Sequence, residues 1–181
     1  MSLPGAIRRH WPTFRRLGPV SFLRRAFNAL QADRAVAARA AVVHHGPVAA
    51  QIEPTNLCNF ECAMCIRDRA DLPRGSISLD DFKTILDRLP TLVRIQLQGQ
   101  GEPFVHRDLV AMIQEAARRG IEVTVTTNGS LLDAATIDAV LESGLASLAV
   151  SIDDLPADGA ADRWRRAADR FESRCSTPTE S

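Results

Sequence analysis

No run in this sequence approaches the ~20 consecutive apolar residues that cross a bilayer, and the apolar stretches before residue 47 are cut by arginine pairs. Neither a membrane span nor the apolar core of a signal peptide is therefore expected. Lysine is all but missing, since Lys83 alone interrupts an all-arginine basic set, and alanine is abundant. That bias reads as GC-rich coding rather than as a surface shaped for nucleic acid, which is not expected as a partner. Cysteines number four. Three are packed between residues 58 and 65 while Cys175 stands far off, a pattern that argues against a disulfide framework and suits a metal or cluster in a reducing, cytoplasmic setting.

What the sequence does contain is a chain of 181 residues, 45% hydrophobic, enough for one domain with a substantial core and too short for two large ones. Its zero net charge hides an asymmetry. Residues 1–46 carry eight arginines (Arg8, Arg9, Arg15, Arg16, Arg24, Arg25, Arg34, Arg39) against Asp33 alone, so the rest is acidic by the same margin. This basic arm holds Phe22, Leu23, Phe27, Leu30 and Val36 at helical spacing between about Ser21 and Ala41, which predicts an amphipathic helix. Packing against the following domain is the plain reading. A membrane-surface or partner-docking helix, or an organelle transit peptide, is the alternative.

From Val48 the pattern turns regular. Strands are predicted over 48–53, 92–98, 121–127 and 145–153, with helices over 79–89, 106–119 and 131–143 between them. Ser78 with Asp81, and Ser130 with Asp133, supply the oxygen and the acidic third residue of helix starts, while Gly120 and Gly144 stand where left-handed ends are wanted. Four strands joined by three helices make a parallel sheet. The strands nevertheless alternate. Val93, Ile95 and Leu97 oppose Arg94, Gln96 and Gln98; Val123 and Val125 oppose Thr124 and Thr126; Leu148, Val150 and Ile152 oppose Ser147, Ser151 and Asp153. A parallel sheet covered on both faces reads as unbroken apolar runs, so a polar face implies a lumen. The expected fold is α/β: a partial parallel (β/α) barrel of TIM-like type over 47–154, with about four β/α units and its ligand near the C-terminal strand ends.

Cys58, Cys62 and Cys65 fall in the loop after the first strand, at the mouth of that lumen. Three thiolates can hold three irons of a cubane and leave the fourth open to a ligand, whereas a ferredoxin-type carrier supplies four. The alternative is a Cys3His zinc site. The nearest histidines, His44, His45 and His106, all lie well away from the cysteines in sequence.

The run Glu53-Pro54-Thr55-Asn56-Leu57-Cys58-Asn59-Phe60-Glu61-Cys62-Ala63-Met64-Cys65 resembles the cluster loop of the radical S-adenosylmethionine (SAM) superfamily, in particular its MoaA-like and SPASM-type branch. Gly99-Gln100-Gly101-Glu102-Pro103 is similar to the family's GGEP motif, Thr127-Asn128-Gly129 to its TNG turn, and Ser151-Ile152-Asp153 to its SxD, all in the family's order. Taken singly, the glycine-bearing turns also make ordinary strand-to-helix connections.

The resemblance implies a [4Fe-4S] cluster on Cys58, Cys62 and Cys65, with SAM chelating the unique iron. It places Gly101, by backbone carbonyl, and Glu102, by carboxylate, near the methionine ammonium, and makes Gly99, Thr127 and Asn128 further cofactor-binding positions. Ser151 and Asp153 would lie close to the ribose. Met64 would stand near adenine, where the family usually has an aromatic residue. Reductive cleavage of SAM would yield a 5'-deoxyadenosyl radical that takes hydrogen from a substrate, which makes the protein an enzyme. An electron donor of flavodoxin or ferredoxin type is implied, and the substrate, a peptide among the candidates, is open. A zinc- or iron-sulfur-binding protein without turnover is the alternative.

After Asp154 the periodicity gives way to an Ala/Arg/Asp/Ser mixture with no recognisable fifth strand. The expectation is a core of four strands, with the reading frame truncated or shifted near Asp154 and residues 155–181 forming an irregular or helical tail.

Overall fold

The computed structural model describes residues 18–63, 65–66, 73–151 and, singly, Arg165 and Asp169. Met64, Ile152, Asp153 and Cys175 lie outside the described residues, as does nearly all of the expected tail. The described chain runs α1 (Pro19–Ala37), β1 (Ala49–Ile52), α2 (Leu79–Arg88), β2 (Arg94–Leu97), a 3-10 turn (Pro103–Val105), α3 (Leu109–Arg118), β3 (Glu122–Thr127), α4 (Ala134–Glu142) and β4 (Ser147–Val150).

The four strands form one parallel sheet in the order β1-β2-β3-β4. Its apolar face meets α2 and α3, where Phe82, Leu86, Leu109, Met112, Ile113 and Ala116 pack on Ile95, Leu97, Val123 and Val125 in one buried cluster. The register places Gln51 beside Gln96, Gln96 beside Thr124, and Thr124 beside Ser147, so a row of polar side chains crosses the opposite face. These residues are exposed or half-buried. Near the N-terminal strand ends that face carries an ion pair, Arg94 Nε to Glu122 Oε1 at 3.4 Å. The sheet is thus the α/β half-barrel the alternation implied.

Helix boundaries differ from the sequence reading where loop chemistry competes with helix. Ser78 does cap α2, its hydroxyl accepting from the Asp81 N–H at 3.0 Å. Helix α3 starts at Leu109 rather than at residue 106, because Pro103–Val105 makes a 3-10 turn and the His106 ring accepts the Asp108 N–H at 3.0 Å. Helix α4 starts at Ala134, capped by Asp133, whose carboxylate accepts from Thr136 N–H at 2.8 Å. Ser130, read from sequence as the cap, is used elsewhere. Gly120 and Gly144 take the expected left-handed conformation, with φ of 64° and 85°.

Helix α1 ends at Ala37, short of Ala41, because Arg39 turns left-handed (φ 49°) just beyond it. The helix docks on the domain. Ala26 joins Val93 in a small apolar cluster with Phe22, Leu30 and Val48, and Asn28 pairs with Gly46 in both directions, donating at 3.0 Å and accepting at 2.8 Å. Arg25 is buried and donates to the carbonyls of Gly120 (2.7 Å) and Arg119 (3.1 Å) at the end of α3. A cation there satisfies carbonyls that the helix leaves unpaired and meets the negative end of its dipole. Burial pushes the Arg25 guanidinium below its ordinary pKa, yet arginine remains charged at any working pH. Arg25→Ala is expected to lower stability by ~2 kcal/mol, the loss of hydrogen bonds from a charged donor. A lowered thermal midpoint by circular dichroism checks this, and an unchanged midpoint would show the arm to be loosely attached.

Candidate functional site

Three loops leave the C-terminal ends of β1, β2 and β3, and the structure joins them by backbone and side-chain contacts. Each turn begins with local chemistry. Thr55 Oγ1 accepts from Leu57 N–H (3.0 Å), Thr127 Oγ1 from Gly129 N–H (3.0 Å) and Asn128 Oδ1 from Ser130 N–H (3.0 Å). Short hydroxyl and amide side chains close such turns on themselves two residues on. Gly129, at φ 75°, supplies a backbone conformation that a side chain would strain.

The cysteine loop is clamped at its neck. Residues 54–56 lie against 75–77: Ile77 N–H donates to Pro54 O at 2.9 Å, Asn56 N–H to Gly75 O at 3.1 Å, and Thr55 and Ser76 form an isolated antiparallel bridge. The Asn56 side chain adds bonds to Pro73 O (2.7 Å) and from Gly75 N–H (2.7 Å), and Ser76 Oγ donates to Thr55 Oγ1 (2.7 Å). His106 braces the same segment. Because its Nδ1 accepts the Asp108 N–H, the ring proton sits on Nε2, which donates to Ile77 O at 2.8 Å.

Above the neck stand the cysteines, Cys58 and Cys65 half-buried and Cys62 exposed, all free of disulfides. The Cys65 N–H bonds to Cys62 O at 2.9 Å, and the Phe60 N–H points at the Cys58 sulfur at 3.4 Å. A backbone N–H on a sulfur is among the contacts that tune an iron-sulfur cluster. Among the described residues no three His, Cys, Asp or Glu side chains gather around a point where one metal ion would sit. A cubane takes one thiolate per iron, and three cysteine sulfurs from one loop are the donor set that chemistry calls for, so in their chemistry the residues present fit that group.

The β2 turn is seated directly on this loop. A Cβ on Gly101 would stand 2.4 Å from both Leu57 O and Thr55 O and 2.8 Å from the Asn56 carbonyl carbon. Gly99 is crowded by the Glu53 side chain, whose Oε1 accepts the Gln100 N–H.

Glu102 is 2% exposed. Its backbone N–H donates to Leu57 O at 2.9 Å. Its Oε1 accepts from Thr127 Oγ1 (2.7 Å) and Phe104 N–H (3.0 Å), and its Oε2 accepts from Asn128 N–H (2.7 Å). The carboxylate expected to approach an ammonium is therefore largely occupied by the protein itself: it ties the β2 turn to the β3 turn, while the Glu102 backbone N–H reaches the cysteine loop.

Of the other expected residues, Thr127 is buried against Glu102, while Asn128 is half-buried and reaches back to the cysteine loop through Asn59 at 3.1 Å. Ser151 follows β4 on the polar-face parity, its N–H on Thr127 O at 2.8 Å. Sequence reasoning missed Asn59, Ser130, Asn56 and His106 as parts of the site. Asn56 and Asn59 lay inside the quoted motif, and the signal was two amide side chains flanking Leu57-Cys58.

Fold and site together define a half-barrel α/β protein whose strand-end loops bring a cysteine-bearing loop against two glycine-bearing turns. The chain belongs to the radical SAM superfamily, whose family model matches residues 52–176. The cofactors of that family are a [4Fe-4S] cluster and SAM, and its members related to this chain are enzymes. The chain is 34% identical over 108 residues to a tungsten-containing aldehyde ferredoxin oxidoreductase cofactor-modifying protein of Pyrococcus furiosus, covering 58% of this chain and 30% of that one. It is 35% identical over 130 residues to a GTP 3',8-cyclase of Chlorobaculum tepidum (67% and 37%), and 30% identical over 108 residues to a PqqA peptide cyclase of Rhodopseudomonas palustris (58% and 28%). The chain thus spans about a third of the length of these curated relatives.

Among solved structures, the fold is shared with BtrN in complex with AdoMet and 2-DOIA (TM-score 0.58, 17% identity, 69% of this chain and 54% of that). It is also shared with Streptococcus suis SuiB bound to precursor peptide SuiA (TM-score 0.60, 20% identity, 87% and 36%). Among the described residues no helix is long and apolar enough to cross a membrane.

Proposed function

We propose that this chain is the cofactor-binding part of a radical SAM enzyme. It would hold a [4Fe-4S] cluster on Cys58, Cys62 and Cys65 and bind SAM, for reductive cleavage and hydrogen abstraction from a substrate. The observation that carries this reading is the seating of the Gly101 turn on the backbone flanking Cys58. It puts the cysteine triplet and the β2 turn in one unit.

When bound, the cluster and SAM supply the one-electron cleavage of a C–S bond and the hydrogen abstraction that follows; orientation and exclusion of water fall to the protein. Cys58, Cys62 and Cys65 would ligate iron as thiolates. Carbonyls of the 99–101 turn offer the neutral acceptors an ammonium calls for. Glu102 would act through the loops it ties, and Thr127, Asn128 and Ser151, with Met64 and Asp153 beyond the described residues, would line the nucleoside side. Gln51, Gln96 and Thr126 give the lumen uncharged donors and acceptors. A peptide or a cofactor precursor is the proposed substrate class, supported by the peptide- and cofactor-modifying relatives. An electron donor of flavodoxin or ferredoxin type and a reducing, cytoplasmic setting belong to the same proposal.

Anaerobic reconstitution is expected to give brown protein with about four irons and four sulfides per chain, and dithionite should then release 5'-deoxyadenosine from SAM. Cys58→Ala, Cys62→Ala and Cys65→Ala should each abolish the release. Uptake of zinc with no iron would overturn the proposal, and cluster without SAM cleavage would reduce it to cofactor binding.

A further inference from the structure

Asn59, Asn128 and Ser130 form a closed ring of side-chain hydrogen bonds. Asn59 Nδ2 donates to Ser130 Oγ (2.8 Å), Ser130 Oγ donates to Asn128 Oδ1 (2.7 Å), and Asn128 Nδ2 donates to Asn59 Oδ1 (3.1 Å). The partners come from the cysteine loop and from the turn after β3, 69 and 71 residues apart in sequence. Each group both gives and receives in one direction around the ring, the arrangement in which hydrogen bonds polarise one another. The ring is also wired to the buried part of the site, because the Asn128 N–H donates to Glu102 Oε2.

Two features make this more than surface decoration. Asn59 directly follows Cys58, so a contact that holds Asn59 also restrains the backbone that carries the Cys58 sulfur. Beyond the neck, moreover, the described part of the cysteine loop buries no side chain: Leu57, Phe60 and Ile66 are 36%, 37% and 59% exposed. Among the described residues, polar contacts reach from this loop to the β3 turn. Hydrogen bonds among partly exposed groups exchange readily with water and add little to global stability. Their effect is on where the loop sits.

We infer that the Asn59–Ser130–Asn128 ring is a positioning latch that sets the Cys58 side of the cysteine loop against the β3 turn, and thereby how tightly SAM is held between them. The inference rests on the proposed function for its consequence, and on geometry alone for the latch. Positioning groups one step removed from a metal centre change affinity by roughly 10–100-fold when removed.

The test uses the whole chain with Asn59→Ala, Ser130→Ala, the double variant and Ser130→Thr, which keeps the hydroxyl. In the metal-free chain, amide hydrogen exchange at residues 57–62 should speed up in both alanine variants while residues 75–77 and the thermal midpoint hold steady. After reconstitution, iron content should stay at the wild-type level. The SAM dissociation constant should rise about tenfold, and the change that SAM causes in the electron paramagnetic resonance signal of the reduced cluster should shrink. The double variant should be no worse than either single, and Ser130→Thr should restore binding. Unchanged exchange at 57–62 would overturn the latch. Faster exchange with unchanged SAM affinity would overturn its proposed consequence. If the wild-type chain takes up no cluster, the proposed function fails while the exchange result still decides the latch.

Discussion

Gly101→Ala is expected to cost the chain most of its iron on reconstitution, at least a tenfold drop, while the sheet survives. The reason is steric and local. The added methyl would stand 2.4 Å from two carbonyl oxygens and 2.8 Å from a third backbone atom, all in residues 55–57, and backbone held by the neck ladder cannot swing aside as a side chain would. Forced overpacking of this kind costs ~1–3 kcal/mol. The cheapest relief is to push the cysteine loop off the β2 turn. Gly101 has no left-handed φ, so the damage comes from contact alone, unlike Gly129, where alanine would strain the backbone itself. Iron and sulfide analysis together with a melt of the metal-free chain measures both parts. Normal iron uptake by the variant would show that the two loops can separate without consequence.

Glu102→Ala should lower the stability of the metal-free chain by ~3 kcal/mol and abolish SAM cleavage. Removing the carboxylate strands three donors, Thr127 Oγ1, Phe104 N–H and Asn128 N–H, in a site only 2% exposed. Leaving buried donors unpaired costs ~1–3 kcal/mol each, less whatever water recovers. Glu102→Gln is the sharper experiment. Its remaining oxygen can serve Thr127 and Phe104, but its NH2 then faces the Asn128 N–H, donor against donor. The substitution should therefore destabilise the metal-free chain by roughly half as much as alanine. If Glu102 served only to receive an ammonium, Gln would weaken SAM binding and leave the metal-free melt untouched. That outcome would refute the tie between the β2 and β3 turns.

The Glu102 result marks where sequence reading stopped. The order of the motifs and the strand after which each occurs were legible, because they depend on residue type and spacing. Which way a carboxylate turns is settled by the donors around it, and those come from Thr127 and Asn128, 25 and 26 residues further on. Ser130 makes the same point. Serine three residues before an aspartate is a sound helix-start signal, yet Asp133 is also a good cap, and with Asp133 bound to Thr136 N–H the Ser130 hydroxyl is engaged by Asn59. Two local solutions were nearly equivalent, and a contact across 71 residues accompanies the one adopted. Helix α1 corrects the sequence reading: of the five apolar residues at helical spacing only Phe22 and Leu30 pack on the domain, Leu23, Phe27 and Val36 being exposed. The buried face is Arg25, Ala26, Asn28 and Ala29, its docking set by the carbonyls at the end of α3 that Arg25 reaches.

By itself, then, the sequence determined the parallel α/β class, the polar face of the sheet and the position of the cysteine triplet at the strand mouth, since alternation, helical period and ligand spacing are properties of neighbours along the chain. Tertiary structure alone decided that Gly101 bears on the backbone beside Cys58, that Glu102 faces inward, and that Asn59 closes a ring with Asn128 and Ser130. Those are relations between loops leaving different strands. Their geometry is fixed by the sheet's register and spacing, which no single segment encodes.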